Sequence, residues 1–92
     1  MPASTLLLRV QATWPLPGLG LLALPDAPAR RLAGYDLHTG LSIEAVLPEG
    51  TRHAGSATVE EITRQAQTQR GLLLDLGALA HLPAGTEIWL LE

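Results

Sequence analysis

"GLLLDLGALAHLPAGTEIWLLE", residues 71–92, admits three structures: a membrane-spanning helix, a buried helix, or two strands joined by a turn. A spanning helix needs about 18 uncharged apolar residues in succession, and Asp75, His81, Pro83 and Glu87 interrupt this run. Within it, GLLLDL is a short apolar segment bounded by glycines, GALAHLPAG carries turn or short helical signals, and TEIWLLE is rich in β-formers. Two strands are the reading that uses all of these signals.

Immediately upstream, TVEEITRQAQTQRG (58–71) carries conflicting signals. Thr58 and Glu61 form a capping box, Val59, Ile62 and Ala66 fall at helical spacing, and Gly71 could end a helix. The apolar stripe is thin, however, and Thr58, Val59, Ile62 and Thr63 are β-branched, which favours a strand. LSIEAVL (41–47) alternates, with Leu41, Ile43, Ala45 and Leu47 inward, and PEGT supplies a turn into SATVEEITR, so the pair reads as a hairpin. LRVQATW (8–14) also alternates, placing Leu8, Val10, Ala12 and Trp14 on one face and Arg9, Gln11 and Thr13 on the other. PLPG (15–18) ends that strand, GLGLLAL begins another, and residues 25–34 read as a surface loop with at most a helical turn. Short strands divided by Gly and Pro predict a single all-β domain over residues 1–92, a closed barrel or a sandwich.

Composition agrees with one small folded core: 92 residues, 47% apolar and 16% charged. With no Phe, that core must be built from small and branched aliphatics. The absence of Cys excludes thiol catalysis, thiolate metal sites and disulfides, and makes a cytoplasmic location the default. All six basic residues are Arg, so Schiff-base chemistry and the phosphate-loop lysine are excluded as well. A net charge of −3 argues against general nucleic-acid affinity. The opening MPASTLLLRV has no basic region ahead of its Leu run, which Arg9 interrupts, so no signal peptide is expected.

The order of these motifs resembles domain 2, the small β-barrel of translational GTPases such as elongation factor Tu. TWPLPGLGLLAL is similar to the family's opening, LHTGLSIEAVL to its central motif, and residues 71–92 to its closing stretch. The resemblance covers residues 6–91 and implies a non-enzymatic, six-stranded closed β-barrel, a domain that in the family packs against the GTPase domain and helps to hold the aminoacylated end of tRNA. The family's first-turn aromatic corresponds to Trp14, and an asparagine before the closing run to Gln69. Its acidic pair is Gln11 and Ala12 here, and a threonine of the second strand is Ala23, so the charge that would meet an α-amino group is missing.

His38, His53 and His81 lie far apart without ligand spacing, so neither a metal nor any other cofactor is expected. Ser56 with His53 lacks a nucleophile elbow; Glu44, Glu60 and Glu61 read as a solvated face; no catalytic residue is assigned, and a small hydrolase is the third-ranked reading. The leading expectation is a protein-protein interaction or self-associating module. Barrel alternation places Leu7, Leu73, Trp89 and Leu91 on an outer apolar patch for a protein partner or a second copy, unless the loop at residues 25–34 folds over it. The alternative is a binder of tRNA or another nucleic-acid end through Gln11, Trp14, Gln69, Arg30 and Arg31.

Overall fold

A computed structural model of the chain describes residues 3–91; Met1, Pro2 and Glu92 of the expected domain lie outside them. The described residues form β1 (Ala3–Leu16), β2 (Gly20–Pro25), a 3-10 helix (Arg30–Gly34), β3 (Gly40–Val46), β4 (Arg52–Arg64), β5 (Gln67–Asp75) and β6 (Glu87–Leu91). The strands hydrogen-bond in the order β1-β2-β5-β4-β3-β6 and close back onto β1, and every pairing is antiparallel. The fold is all-β, as the alternating segments predict. Residues 71–92 supply the last two strands, and no helix among the described residues is long and apolar enough to cross a membrane.

The interior is narrow, and the chain fills it with mixed sizes. Ala23, Ala45 and Ala57 share it with Val10, Leu21, Ile43, Val59, Leu72, Leu74 and Ile88, all buried. Alternating small and large aliphatics suits the taper of a small ring of strands. Leu32 of the 3-10 helix and Leu82 of the β5–β6 connection join the same cluster, each almost fully buried. The first belongs to the connection from the end of β2 to the start of β3, the second to the connection from β5 to β6, so the two segments close opposite ends of the ring.

β1 departs from the strict alternation that its sequence suggests. It pairs with β6 through residues 3–9 and with β2 through residues 10–16, and the register slips at each stage. Leu6 faces Trp89 while Leu8 faces Ile88, which makes Leu7 the extra residue of a bulge; Leu7 and Leu8 are both buried, at 3% and 4% exposure. Leu7 is therefore core, not outer patch. A second slip between Val10 and Ala12 makes Gln11 the extra residue and reverses the faces beyond it. Trp14, expected on the same face as Val10, is 40% exposed, and Thr13, expected outside, has a buried hydroxyl with no hydrogen-bond partner.

The ambiguous segment 58–71 is strand, turn and strand. Gln65 and Ala66 both have positive φ, 51° and 65°, as the two central residues of a type I′ hairpin turn require. Neither is a residue that favours that conformation, which costs an L-residue about 1–2 kcal/mol. Replacing Gln65-Ala66 by Asn-Gly should raise stability by about 1 kcal/mol, and the melting temperature by about 4–8 °C, in a calorimetric scan.

Gly71 is required by close packing rather than by torsion. A Cβ there would stand 2.6 Å from the Ala23 carbonyl oxygen and 2.5 Å from Ile62 Cδ1. Gly71→Ala should destabilise the fold by about 1–3 kcal/mol in urea titration, whereas Gly34→Ala should shift it by less than about 0.5 kcal/mol. Nothing lies within 4 Å of a Cβ at Gly34.

Candidate functional site

β4 and β5 outrun their neighbours. β3 stops pairing with β4 at Gly40–Thr58, and β2 stops pairing with β5 at Ala23–Leu72, yet β4 and β5 stay paired to Arg64–Gln67. Residues 60–71 thus form a two-stranded arm beyond the ring. Trp14, Leu22, Leu73 and Thr58 form one row of paired positions across four strands. A straight arm would carry Arg64 about 20 Å past that row at ~3.4 Å per residue. Instead the Arg64 guanidinium sits 4.9 Å from the centre of the Trp14 ring, so the arm curls over the outer wall of β2 and β1. A cation over an aromatic face contributes about 0.5–1 kcal/mol at an exposed site.

A cleft of about 420 Å³ opens between the arm and the β2–β3 connection. One side is formed by Pro28, Ala29, Arg30 and Ala33, the other by Glu61 and residues 67–70 of β5. The connection is fixed to the arm and its root at several points. Arg70 donates to the Tyr35 carbonyl at 3.1 Å, and the His38 N–H donates to the Val59 carbonyl at 2.7 Å. The Val59 N–H donates to the Thr39 carbonyl at 3.1 Å, and the His38 ring nitrogen lies 3.1 Å from the Glu60 carboxylate. The cleft wall is consequently held by backbone bonds and by the buried Leu32, with the exposed His38–Glu60 pair adding little.

The arm brings an unused backbone edge to this cleft. Arg64–Gln67 closes a two-residue hairpin, so that pair is hydrogen-bonded and the bonded pairs recur at every second residue. The backbone groups of Thr68 and Arg70 then point away from β4. No strand pairs with that side of β5 before Leu72. Thr63 and Thr68 have hydroxyls 3.0 Å apart, as the closer side chains of a non-bonded pair should.

The structure disperses the expected partner-binding residues. Leu73 lies on β5 and Trp89 on β6, three strands apart either way around the ring. Leu73 stands beside Leu22 on the wall that the arm overhangs. Trp89 stands beside Glu44, its indole N–H donates to Glu87 at 3.1 Å, and those carboxylates in turn meet Arg52 at 2.8 Å and Arg9 at 3.4 Å. Trp89 belongs to a charged wall. Leu91 follows it at the end of β6, opposite Ala3, and Leu7 is buried where the β2–β3 connection lies against β1. Leu7, Leu73, Trp89 and Leu91 do not form one patch.

The second set is partly assembled. Arg30 and Gln69 meet at the cleft, while Arg31 lines a smaller hollow with Arg30 beside Leu6, Leu7 and Leu8. Trp14 lies under Arg64 at the outer wall, and Gln11 is the exposed bulge residue. Glu61, Thr68 and Arg70 at the cleft, and Arg64 over Trp14, become visible only once residues 58–71 are folded as a curled hairpin.

The candidates for catalysis are separated. His53 and Ser56 lie three residues apart on β4 and so face opposite sides. Glu44 is engaged by Arg52, and Glu60 accepts from Thr58 at 2.8 Å. Among the described residues no three His, Asp or Glu side chains converge on a common point. The cleft offers two cations, a carboxylate, a hydroxyl, two amides and a backbone edge, a set suited to hydrogen-bonded recognition.

If Arg64 pins the arm, a Trp14→Ala/Arg64→Ala double-mutant cycle should return a coupling of about 0.5–1 kcal/mol. The Arg64→Ala protein should also show faster amide exchange at the bonded pair Ile62 and Gln69. Comparison with protein-family models, curated proteins and solved structures finds no match for this chain.

Proposed function

We propose that the chain is a non-enzymatic protein-interaction module, a β-barrel of the kind that domain 2 of translational GTPases exemplifies, and that it binds through the cleft beside the β4–β5 arm. The six antiparallel strands support the likeness in architecture, and the order of the Gly-flanked apolar segments supports it in sequence. One observation carries the site. The connection and the arm together bound a cleft of about 420 Å³, within the size range of ligand-binding pockets, whose lining combines Arg30, Glu61 and Gln69 with the apolar faces of Pro28, Ala29 and Ala33. The apolar residues Leu73 and Trp89 are divided between opposite walls, so the cleft is the better-formed binding surface.

A second reading, attachment to a nucleic-acid end, draws support from Trp14, whose 40% exposure leaves ring surface outside the Arg64 contact. The two readings differ in salt dependence. A phosphate-driven complex weakens steeply with rising salt, and a peptide complex resting on one arginine weakens slightly.

The test is a comparative capture from cells of the source organism, quantified by mass spectrometry and repeated with the purified partner by calorimetry. Arg30→Glu should lose the partner by roughly tenfold or more, while Leu73→Asp, on the opposite side of the arm, should retain it. Retention by Arg30→Glu with loss by Leu73→Asp would return the binding surface to the outer wall. Saturable RNA binding abolished by Trp14→Ala would establish the second reading in its place.

A further inference from the structure

We infer that the occupant of the cleft is an extended peptide segment of a partner protein, added as a strand along the free edge of β5 and bearing a carboxylate that Arg30 engages. This rests on the interaction-module reading and specifies its ligand.

Three features select this occupant. The edge offers the N–H and C=O of Thr68 and of Arg70, two residues apart and so about 6.8 Å along the strand. Donors and acceptors alternating on a line are satisfied by another backbone in extended form, the β-augmentation mode of peptide binding. A phosphate would use the N–H groups alone and leave two carbonyls without a donor from the ligand.

The second feature is what lies across from that edge. Pro28, Ala29 and Ala33 line the cleft from the connection and give the side chains of an entering strand small apolar surface to rest against. Pro28 carries no N–H, which leaves the β5 edge as the ladder partner.

Charge supplies the third. The lining holds Arg30 and Arg70 against Glu61, one positive charge in excess on a chain of net charge −3. Arg70 already donates to Tyr35, whereas Arg30 makes no ion pair or side-chain hydrogen bond among the described residues. An acidic side chain or a C-terminal carboxylate is the group that a free guanidinium in the same cleft would meet.

The experiment is selection of a random octapeptide library on the immobilised full chain, followed by NMR titration of the uniformly ¹⁵N-labelled protein with the enriched peptides. Acid-bearing, β-prone peptides should be enriched, and their binding should shift the Thr68 and Arg70 amides. N-methylation of the peptide at alternate positions should abolish those shifts. Asp or Glu→Asn or Gln in the peptide, or Arg30→Glu in the protein, should weaken binding by roughly tenfold to a hundredfold, the effect of one charge-assisted hydrogen bond. Peptides that perturb the cleft yet tolerate N-methylation would overturn strand addition while leaving the module reading intact. Failure to enrich any peptide would overturn the inference, as would equal shifts with inorganic phosphate, which would mark an anion site. Shifts of the same amides on concentrating the protein alone would overturn it in favour of a second copy as occupant.

Discussion

The ring closes because β1 serves two neighbours in succession. A strand of 14 residues meets β6 along its first half and β2 along its second, and its hydrogen bonds must change side where the partners change. At that junction the Val10 N–H donates to Thr86 at 2.7 Å, the Gly85 N–H donates to Val10 at 2.8 Å, and the Asp26 N–H donates to Arg9 at 2.9 Å. The connections leaving β2 and entering β6 are thereby sewn to the point where β1 turns. A ring of short strands has no spare edge at which to absorb twist, so β1 takes it up in bulges. Those bulges decide which side chains are core.

The same mismatch of strand lengths creates the site. β4 has 13 residues and β5 has 9, while β2 has 6 and β3 has 7, so the β4–β5 pair extends past the rim that its neighbours reach. An unsupported two-stranded ribbon is marginal in water, and this one is stabilised from both faces. Arg64 rests on Trp14 from one side, and Arg70 ties the other to Tyr35. Gly71 lies at the bend, where a side chain would strike the Ala23 carbonyl and Ile62. Two anchors and one glycine hold a polar strand edge open beside the 3-10 helix, which natural sheets usually avoid by covering or charging the edge.

Much of this architecture was legible in the residues. The alternation of 41–47, the Gly and Pro turns, and the split of residues 71–92 into two strands all follow from side-chain period and turn chemistry, and each is present. Leu73 is partly exposed between buried Leu72 and Leu74, and Ile88 is core, as barrel alternation requires. Period alone misplaced Leu7, Thr13 and Trp14, because a bulge adds a residue without leaving a mark in an aliphatic run such as LLL. The hairpin turn was hidden for a different reason. Gln65-Ala66 lacks the Gly or Asn that usually announces two positive φ angles, and the capping box at Thr58 imitated a helix start.

That hidden turn also explains why the cleft escaped the sequence. Arg30 and Gln69 are candidate binding residues on unrelated sequence grounds, and they meet only because the chain reverses at residues 65–66 and carries Gln69 back past the connection. The apolar patch failed by the converse logic. Leu73 and Trp89 are neighbours in the motif of the last two strands but not in space, since β4 and β3 on one side, and β2 and β1 on the other, separate β5 from β6. In a closed ring, sequence-adjacent strands can stand opposite each other, so surplus hydrophobicity in consecutive segments is distributed between walls. The tail's apolar residues are thus accounted for separately: Ile88, Leu72 and Leu74 by the core, Leu73 by the wall beneath the arm, and Trp89 by a wall of ion pairs. Beside Arg30 the open feature is polar, the backbone edge of Thr68 and Arg70, and a line of alternating donors and acceptors is matched in full by another extended chain.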